Sequence, residues 1–334
     1  MLRAVTTVLA STDVFATRSG VAAGDWDAAL LALGGHFLQS TAWQRVQEAL
    51  GYPVVHARDA EWMWSASLRL GRFPRYMYVP YGPTVRAGAD DAARSMVAAA
   101  RGNALDFVRA EPDSQQSLKA LRGIGSRRAR SIQPSATWVL DIDAPEDALR
   151  RGLSSGHRGS INAAERRGLR FASTRDPRRI DVFLDLQRRS GARSGYEGRP
   201  ARYHRTVAQL LMPGGAATLY LAEAGESAVA AALCFDFGVT RYYAHAASDP
   251  ALGRRLGAAA PLVWAMIMDA RAEGLEHFDF WGVVPHAQPG HPWAGFTQFK
   301  MSFGGRLVQR VGTWDVPVRH TRYLVYSALA RARR

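Results

Sequence analysis

Cysteine occurs once in the 334 residues, as Cys234 inside an apolar run. That excludes an intrachain disulfide and any zinc site built from thiols. The histidines do not replace them: His286 and His291 share a Pro/Gly-rich loop and lack partners at metal-ligand spacing. No metal is expected. No apolar run approaches the roughly 18 residues of a membrane span, and Met1–Ala10 is too short and Thr-rich for a secretory signal. The expectation is a soluble, cytoplasmic protein. Gly-x-Ser-x-Gly, Walker and Rossmann patterns are also missing from the contexts that give them meaning, and nothing marks a covalent nucleophile.

The scarcest charged residue is lysine. Lys119 and Lys300 are the only two; the other 41 cations are arginines. Where Arg is this abundant, a lysine asks for a reason. Lysine offers a compact charge, rotating donors and a pKa that burial can move. Lys300 sits in Phe296-Thr297-Gln298-Phe299-Lys300-Met301-Ser302-Phe303-Gly304-Gly305, with three phenylalanines to exclude water and a Gly pair to end the segment. The plainer reading is a strand–turn edge with a solvated lysine.

What is present in excess is positive charge, +14 overall. Such a balance attracts phosphate-rich partners, whether nucleic acid, nucleotide or an anionic membrane surface. The length suggests two domains, and a hydrophobic fraction of 47% is ample for two cores.

Apolar spacing and turn residues predict helices over 25–34 and from Ser40 to Gly51, then strands over 53–57, 61–70 and 75–79. Trp62, Trp64, Ala66, Leu68 and Leu70 fall on one face of the second strand. A helix over 90–100, a strand over 105–109, a loop over 123–130 and a strand over 137–142 follow. Asp143-Ala144-Pro145 marks a boundary. Beyond it come a helical, Arg-rich stretch over 149–167, helices over 179–190 and 201–211 around a loop over 191–200, and strands over 217–223, 228–237 and 240–246. A helix over 253–274, strands over 277–281 and 307–314, and a basic helix over 319–334 complete the chain. Each half reads as helices followed by a mixed sheet.

Several groups could carry chemistry. Arg254-x-x-Gly257-x-Ala259 lies between a strand and a helix, and its spacing resembles the pyrophosphate loop of GNAT acyltransferases. Tight helix–strand packing explains it equally. Tyr243 and His245, two apart on a strand, are expected to share a face; with Tyr242, Asp249 and Cys234 they line a pocket or are simply half-buried. Arg199 and Tyr203 are one helical turn apart and can address one anionic ligand; solvated arginines at a helix start are the alternative.

In order, Leu38-Gln39-Ser40-x-x-Trp43, Tyr81-Gly82-Pro83, Glu111-Pro112, Arg158-x-x-Ile161-x-x-Ala164-x-x-x-Gly168, Arg199-Pro200-x-x-Tyr203, Ala246-Ala247-Ser248, Asp279-Phe280-x-Gly282 and Phe299-Lys300-x-x-Phe303-Gly304-Gly305 resemble the FemABX family. These are transferases that use aminoacyl-tRNA to add amino acids to peptidoglycan precursors. The resemblance implies an α/β chain of two tandem GNAT-like domains, each a mixed twisted sheet flanked by helices. It places an acceptor-side domain over 1–143 plus 315–334 and a donor-side domain over 144–314. It resembles the short FemX type, which lacks an inserted helical arm.

By the same resemblance Phe299 and Lys300 lie at the reacting centre, with Glu111 as a candidate proton acceptor. Arg199, Tyr203, Tyr243, His245, Gln47 and Tyr81 face the acceptor. Arg254, Gly257, Arg158, Arg166 and Arg167 face the tRNA-borne donor, with Arg150, Arg151, Arg331, Arg333 and Arg334 on tRNA phosphates. Three positions depart from the relative compared: Gln47 stands where that relative has a phosphate-binding Lys, His245 where it has Tyr, and Glu111 where it has Asp. The resemblance implies a UDP-MurNAc-peptide or lipid-linked precursor as the acceptor; the Lys missing at Gln47 counts against it and opens the alternative of a small peptide of an antibiotic pathway. Aminoacyl-tRNA is the co-substrate and no cofactor is expected. Lys300 would stabilise the oxyanion or the leaving 3′-oxygen. A peripheral membrane contact through Tyr323, Leu324 and Leu329 is a further expectation. The rival activities are acyl-CoA-dependent N-acylation and non-catalytic tRNA binding.

Overall fold

The computed structural model describes residues 23–194, 198–285 and 291–332; His286, Arg333 and Arg334 lie outside them. The helices are α1 (Ala23–Ala32), α2 (Thr41–Ala49), α3 (Ala89–Gly102), α4 (Gln115–Gly123), α5 (Glu146–Gly152), α6 (Ser155–Asn162), α7 (Ile180–Ser194), α8 (Ala201–Leu211), α9 (Leu252–Leu256), α10 (Ala259–Ala272), α11 (Ala294–Met301) and α12 (His320–Ala332). The strands are β1 (Val54–Arg58), β2 (Trp62–Arg69), β3 (Tyr76–Val79), β4 (Thr84–Val85), β5 (Phe107–Ala110), β6 (Arg127–Arg128), β7 (Ala136–Asp141), β8 (Leu169–Thr174), β9 (Ala217–Ala224), β10 (Ser227–Phe237), β11 (Thr240–Ser248), β12 (His277–Gly282), β13 (Arg306–Gln309) and β14 (Trp314–Pro317).

Two compact units result, residues 1–135 with 310–334 and residues 136–309. These limits differ from 143/144 and 314/315 because β7 pairs with β12 and β13 in the second unit. For the same reason the strand expected over 307–314 is two strands, β13 in the second unit and β14 in the first.

The first unit is a mixed sheet in the order β1-β2-β3-β5-β14-β6, with β4 beside β2 and only β3–β5 parallel. Trp64, Ala66 and Leu68 point into a core shared with Ala93 and Met96 of α3 and Leu118 and Leu121 of α4, with Trp62 packed against it. The expected face of β2 packs on this core, and its other face is buried as well, with Met63, Ser65 and Ser67 at 0%, 5% and 4% exposure. Ser40 caps α2, its side chain accepting from the Trp43 amide at 3.2 Å. Gln39, fully buried, accepts from Ser65 N at 2.6 Å and donates to Ser65 O and Pro80 O. A Cβ on Gly82 would come 2.9 Å from the Gln39 side chain. Two of the sequence motifs therefore form one structural clasp.

The second unit is a mixed sheet in the order β13-β7-β12-β11-β10-β9-β8. Alternate residues of β10, Ala230, Ala232 and Cys234, point into a core with Val263, Ile267 and Ala270 of α10 and Phe278 and Phe280 of β12. Helix α7 packs against β10 and β11 on the same sheet. Arg241 of β11, fully buried, is paired with Asp236, Asp269 and Glu273, which fixes β11 to α10.

Four expectations change. The stretch around Lys300 is helical, not a strand edge. The helix over 253–274 is broken by Gly257 at φ +62 into α9 and α10. The pattern over 149–167 is two short helices and a 3₁₀ turn. Arg127–Arg128 inside the expected loop pairs with β14, while α4 and β8 were not foreseen.

Candidate active site

Among the described residues, the second unit has one parallel pair of strands, β11 and β12. They are registered only over Thr240–Tyr242 against His277–Asp279 and then part. Each strand carries an irregularity just beyond that point. Ala244 is the extra residue between Tyr243 and His245 opposite Cys234 and Leu233. On β12 the register shifts between Asp279 and Gly282, where Trp281 takes φ +65 and its amide donates to Asp279 Oδ1 at 2.7 Å. The carboxyl ends of splayed parallel strands are where α/β sheets bind ligands.

Lys300 reaches this place. Its Nζ donates to the Gly282 carbonyl at 2.7 Å. Burial pushes its pKa down to about 8, and attraction to Asp279 opposes that fall. An ammonium with one carbonyl partner and one nearby carboxylate retains donors for a third group.

The helix that presents Lys300 is clamped. His157 of α6 lies against the rings of Phe299 at 5.0 Å and Phe303 at 4.5 Å, and its Nε2 is 3.1 Å from the Phe299 carbonyl. Phe303, fully buried, stacks toward Phe280. After it, Gly304 and Gly305 adopt φ +80 and +99. A Cβ on Gly305 would sit 2.5 Å from the Val139 carbonyl, so only glycine fits. Phe299 thus positions the helix, and the Gly pair lets the chain turn against β7.

The bulge at Ala244 overturns the shared face expected for Tyr243 and His245. Tyr243 turns to Phe278 and Phe280. His245 turns to α8, with Nε2 3.1 Å from the Tyr203 hydroxyl and its ring 4.8 Å from His204. Burial lowers the pKa of His245 well below the usual value and takes that of His204 to about 4. Both are neutral imidazoles at pH 7. Arg199 lies 5.5 Å over the Tyr203 ring, so the expected Arg199–Tyr203 pair forms and His245 joins it.

At the carboxyl end of β11, Arg167 Nη1 donates to Leu256 O at 3.0 Å and lies 2.9 Å from where a Gly257 Cβ would be. A guanidinium therefore covers the loop before α10, while Arg254 is exposed. Arg158 is engaged otherwise: its Nη1 donates to Leu153 O at 2.7 Å and to Arg151 O at 3.1 Å, capping α5. Arg166 is exposed beside Asn162 O.

In the first unit Glu111 is 3% exposed. Its Oε1 accepts from Gln133 N at 2.8 Å, Thr313 Oγ1 at 2.8 Å and Ile132 N at 3.3 Å; its Oε2 accepts from Tyr78 at 2.6 Å. A carboxylate so saturated is a poor general base. Tyr81, buried at φ +43, donates to Pro134 O at 2.9 Å, which is a packing role. Gln47 Oε1 accepts from Arg69 Nη2 at 3.2 Å, and the Arg69 guanidinium lies 3.5 Å over the Tyr52 ring. Arg69 was missed in the sequence because its strand alternation shows only which face it shares, not what it reaches across to. His157 was missed although it adjoins the Arg158 motif, and Asp279 although its motif was noticed. Among the described residues no three His, Cys, Asp or Glu side chains converge as a metal site.

Residues 150–300 match the acetyltransferase (GNAT) domain. The crystal structure of FemX superposes with TM-score 0.81 at 17% identity, over 91% of this chain and 98% of that one. The chain is FemX-like in fold. The FemABX resemblance read from the sequence therefore stands, and both units take the tandem GNAT-like arrangement it implied. A tandem GNAT protein from the clavulanic acid biosynthesis pathway matches at TM-score 0.53 and 15% identity, over 89% of this chain and 97% of that one. Lipid II:glycine glycyltransferase of Staphylococcus aureus is 25% identical over 211 residues. That alignment covers 56% of this chain, which spans about half the length of the curated relative it matches. No described helix is long and apolar enough to cross a membrane.

Proposed function

We propose that this chain is an aminoacyltransferase. It moves an amino acid from aminoacyl-tRNA to an amine of a peptide acceptor carried on a peptidoglycan precursor. The observation that carries the reading is Lys300, a half-buried lysine at the split of β11 and β12 whose ammonium donates to Gly282 O. The acceptor nitrogen attacks the ester carbonyl, the C–N bond forms, and the C–O bond to the tRNA 3′-oxygen breaks. The proton lost by the amine ends on that oxygen. The ester is already activated, so the chemistry needs alignment and charge stabilisation rather than ATP or a metal. Lys300 donates to the oxyanion or to the leaving oxygen. Glu111 takes no part in the transfer. Phe299, His157 and Phe303 hold the lysine's helix.

Support for a phosphate-bearing acceptor comes from Arg69. The position where the resemblance leads one to look for a cation holds Gln47, and Gln47 orients a guanidinium from β2. Arg199, Tyr203 and His245 form a second polar group suited to the peptide. Arg167 over the Gly257 loop suits a donor phosphate.

The test offers the purified protein a mixture of charged tRNAs with UDP-MurNAc-pentapeptide, a lipid-linked precursor, or small peptides. Ribonuclease-sensitive mass gain on a precursor is expected. Mass gain on free peptides alone would move the acceptor to a small-peptide pathway. The Gly257 loop also favours a second reading, acyl-CoA-dependent N-acylation. Calorimetric binding of acetyl-CoA, with no transfer from any charged tRNA, would establish that reading and sink the first. Binding of charged tRNA with no deacylation in the presence of any acceptor would leave only a tRNA-binding module.

A further inference from the structure

Helix α12 is held to its own unit by one face. Tyr323 and Tyr326, one turn apart, pack on Phe107 with ring centroids 5.3 and 5.0 Å away. Tyr323 donates to Asp315 Oδ2 at 3.2 Å, the Tyr326 hydroxyl accepts from Arg109 at 2.9 Å, and Arg322 pairs with Asp106. That face accounts for the attachment.

The remaining surface is not what water favours. Leu324, Val325, Ala328, Leu329 and Ala332 follow the spacing i, i+1, i+4, i+5, i+8 and form one continuous stripe. Leu324, Val325 and Leu329 are 52%, 51% and 48% exposed. A helix turned to solvent would carry charge there.

The charges around the stripe have one sign. Helix α12 holds no Asp or Glu, and Arg319, Arg322 and Arg331 are exposed on or beside it. The two carboxylates beneath, Asp106 and Asp315, are 0% and 1% exposed and each is already paired with an arginine. The exposed ring of Phe73 lies 5.0 Å from the Arg322 guanidinium, and exposed Arg72 precedes it in the chain. Apolar side chains, an aromatic and exposed arginines are the composition of a helix that lies in a lipid–water interface. A second protein copy would bring its own arginines to the same place and be repelled.

We propose that α12 is an interfacial helix that docks this chain on an anionic lipid surface, sinking Leu324, Val325 and Leu329 below the headgroups while Arg319 and Arg331 meet lipid phosphates. The proposal does not depend on the acceptor: it concerns where the chain resides, and vesicles without any substrate test it.

The experiment is co-sedimentation of the full chain with vesicles of phosphatidylglycerol mixed with phosphatidylcholine, and with phosphatidylcholine alone. The expected result is binding to the anionic vesicles, weakened about fivefold or more in 0.5 M salt. Leu324→Ser with Leu329→Ser should cut that partitioning about tenfold, and Arg319→Ser with Arg331→Ser should remove the preference for anionic lipid. All four positions are exposed, so melting temperatures should match the parent; Val325→Ser serves if a double variant melts early. The proposal is overturned if the parent ignores anionic vesicles, if the leucine variant binds them equally, or if sedimentation velocity shows a dimer that the leucine variant dissolves.

Discussion

Glu111 and Lys300 are both charged groups inside a GNAT-like unit, and they are furnished in opposite ways. Glu111 has four donors on two oxygens. Lys300 has three ammonium hydrogens, with the Gly282 carbonyl as an acceptor and the Asp279 carboxylate nearby. A buried charge that is saturated stabilises a fold and has nothing left to offer a reactant. A half-buried charge that is under-partnered, as Lys300 is, costs stability, and that cost persists where a ligand or transition state completes the set. The sequence motifs marked both residues; only their partners separate them.

The largest effect should follow Lys300→Met. Turnover should fall about 100- to 1000-fold, the usual loss for one donor to a developing oxyanion, measured as aminoacyl transfer under saturating donor. The protein should melt no earlier than the parent. The sign follows from the shift. The folded pKa of about 8 lies below the ordinary lysine value of 10.5, so the folded state disfavours the ammonium. That penalty is fully in force below about pH 8 and fades as pH rises toward 10.5. Parent minus variant stability should therefore climb over that window, and parent activity should decline above about pH 8 as the ammonium is lost. Undiminished turnover in a folded Lys300→Met would remove the comparison's functional half.

Glu111→Ala should do the converse. It strands the Tyr78 and Thr313 hydroxyls and two amides, a loss of about 3 kcal/mol in folding stability. Turnover per folded molecule should change less than about threefold, since no reacting atom is touched. A variant that folds normally yet loses turnover would make Glu111 the proton acceptor after all.

How much of this could be read from the chain alone depends on the distance over which each feature is decided. The grouping of Trp64, Ala66 and Leu68 on one face of β2 and the cap at Ser40 are local, and periodicity or one side chain determined them; that the other face of β2 is buried too was not local. Lys300 stood out by composition. Its helix did not, because Phe, Thr and Gly-Gly resemble strand and turn, and what holds residues 294–301 in place is packing of Phe299 on His157 and, just past the helix, of Phe303 on Phe280, both from distant segments. The opposite orientation of Tyr243 and His245 hangs on one extra residue in a strand pair, a feature alternation counting cannot detect. The Arg69–Gln47 contact joins residues 22 apart across two elements. Had Gln47 been judged alone, the loss of a cation would have been the conclusion.

Arg69 lies between the two extremes, with a guanidinium stacked on Tyr52 and steered by Gln47. If it addresses acceptor phosphate, Arg69→Met should raise KM for UDP-MurNAc-pentapeptide about tenfold, or about 1.4 kcal/mol. It should leave KM for a phosphate-free peptide unchanged. An equal rise for both acceptors would assign Arg69 to packing.

The smallest effect concerns a buried group that carries no charge. His204, 1% exposed, is enclosed by Phe183, Tyr203 and His245, and neither ring nitrogen has a protein hydrogen-bond partner. Its pKa of about 4 lies below the ordinary 6.5 because burial disfavours the imidazolium. The unfolded chain therefore binds the extra proton first, and the stability this ring contributes is whole above about pH 6.5 and drains as pH falls toward 4. His204→Phe keeps the ring and deletes the proton site. It should match the parent at pH 7.5 within about 1 kcal/mol and exceed it at pH 5, read by chemical denaturation at both values. His245 next door also titrates low, so part of the acid sensitivity should survive. If instead His204→Phe left the acid limb untouched but raised the acceptor KM, the ring would be a ligand of the Tyr203–His245 group, and a neutral buried imidazole would join Lys300 among the groups whose partner arrives with the substrate.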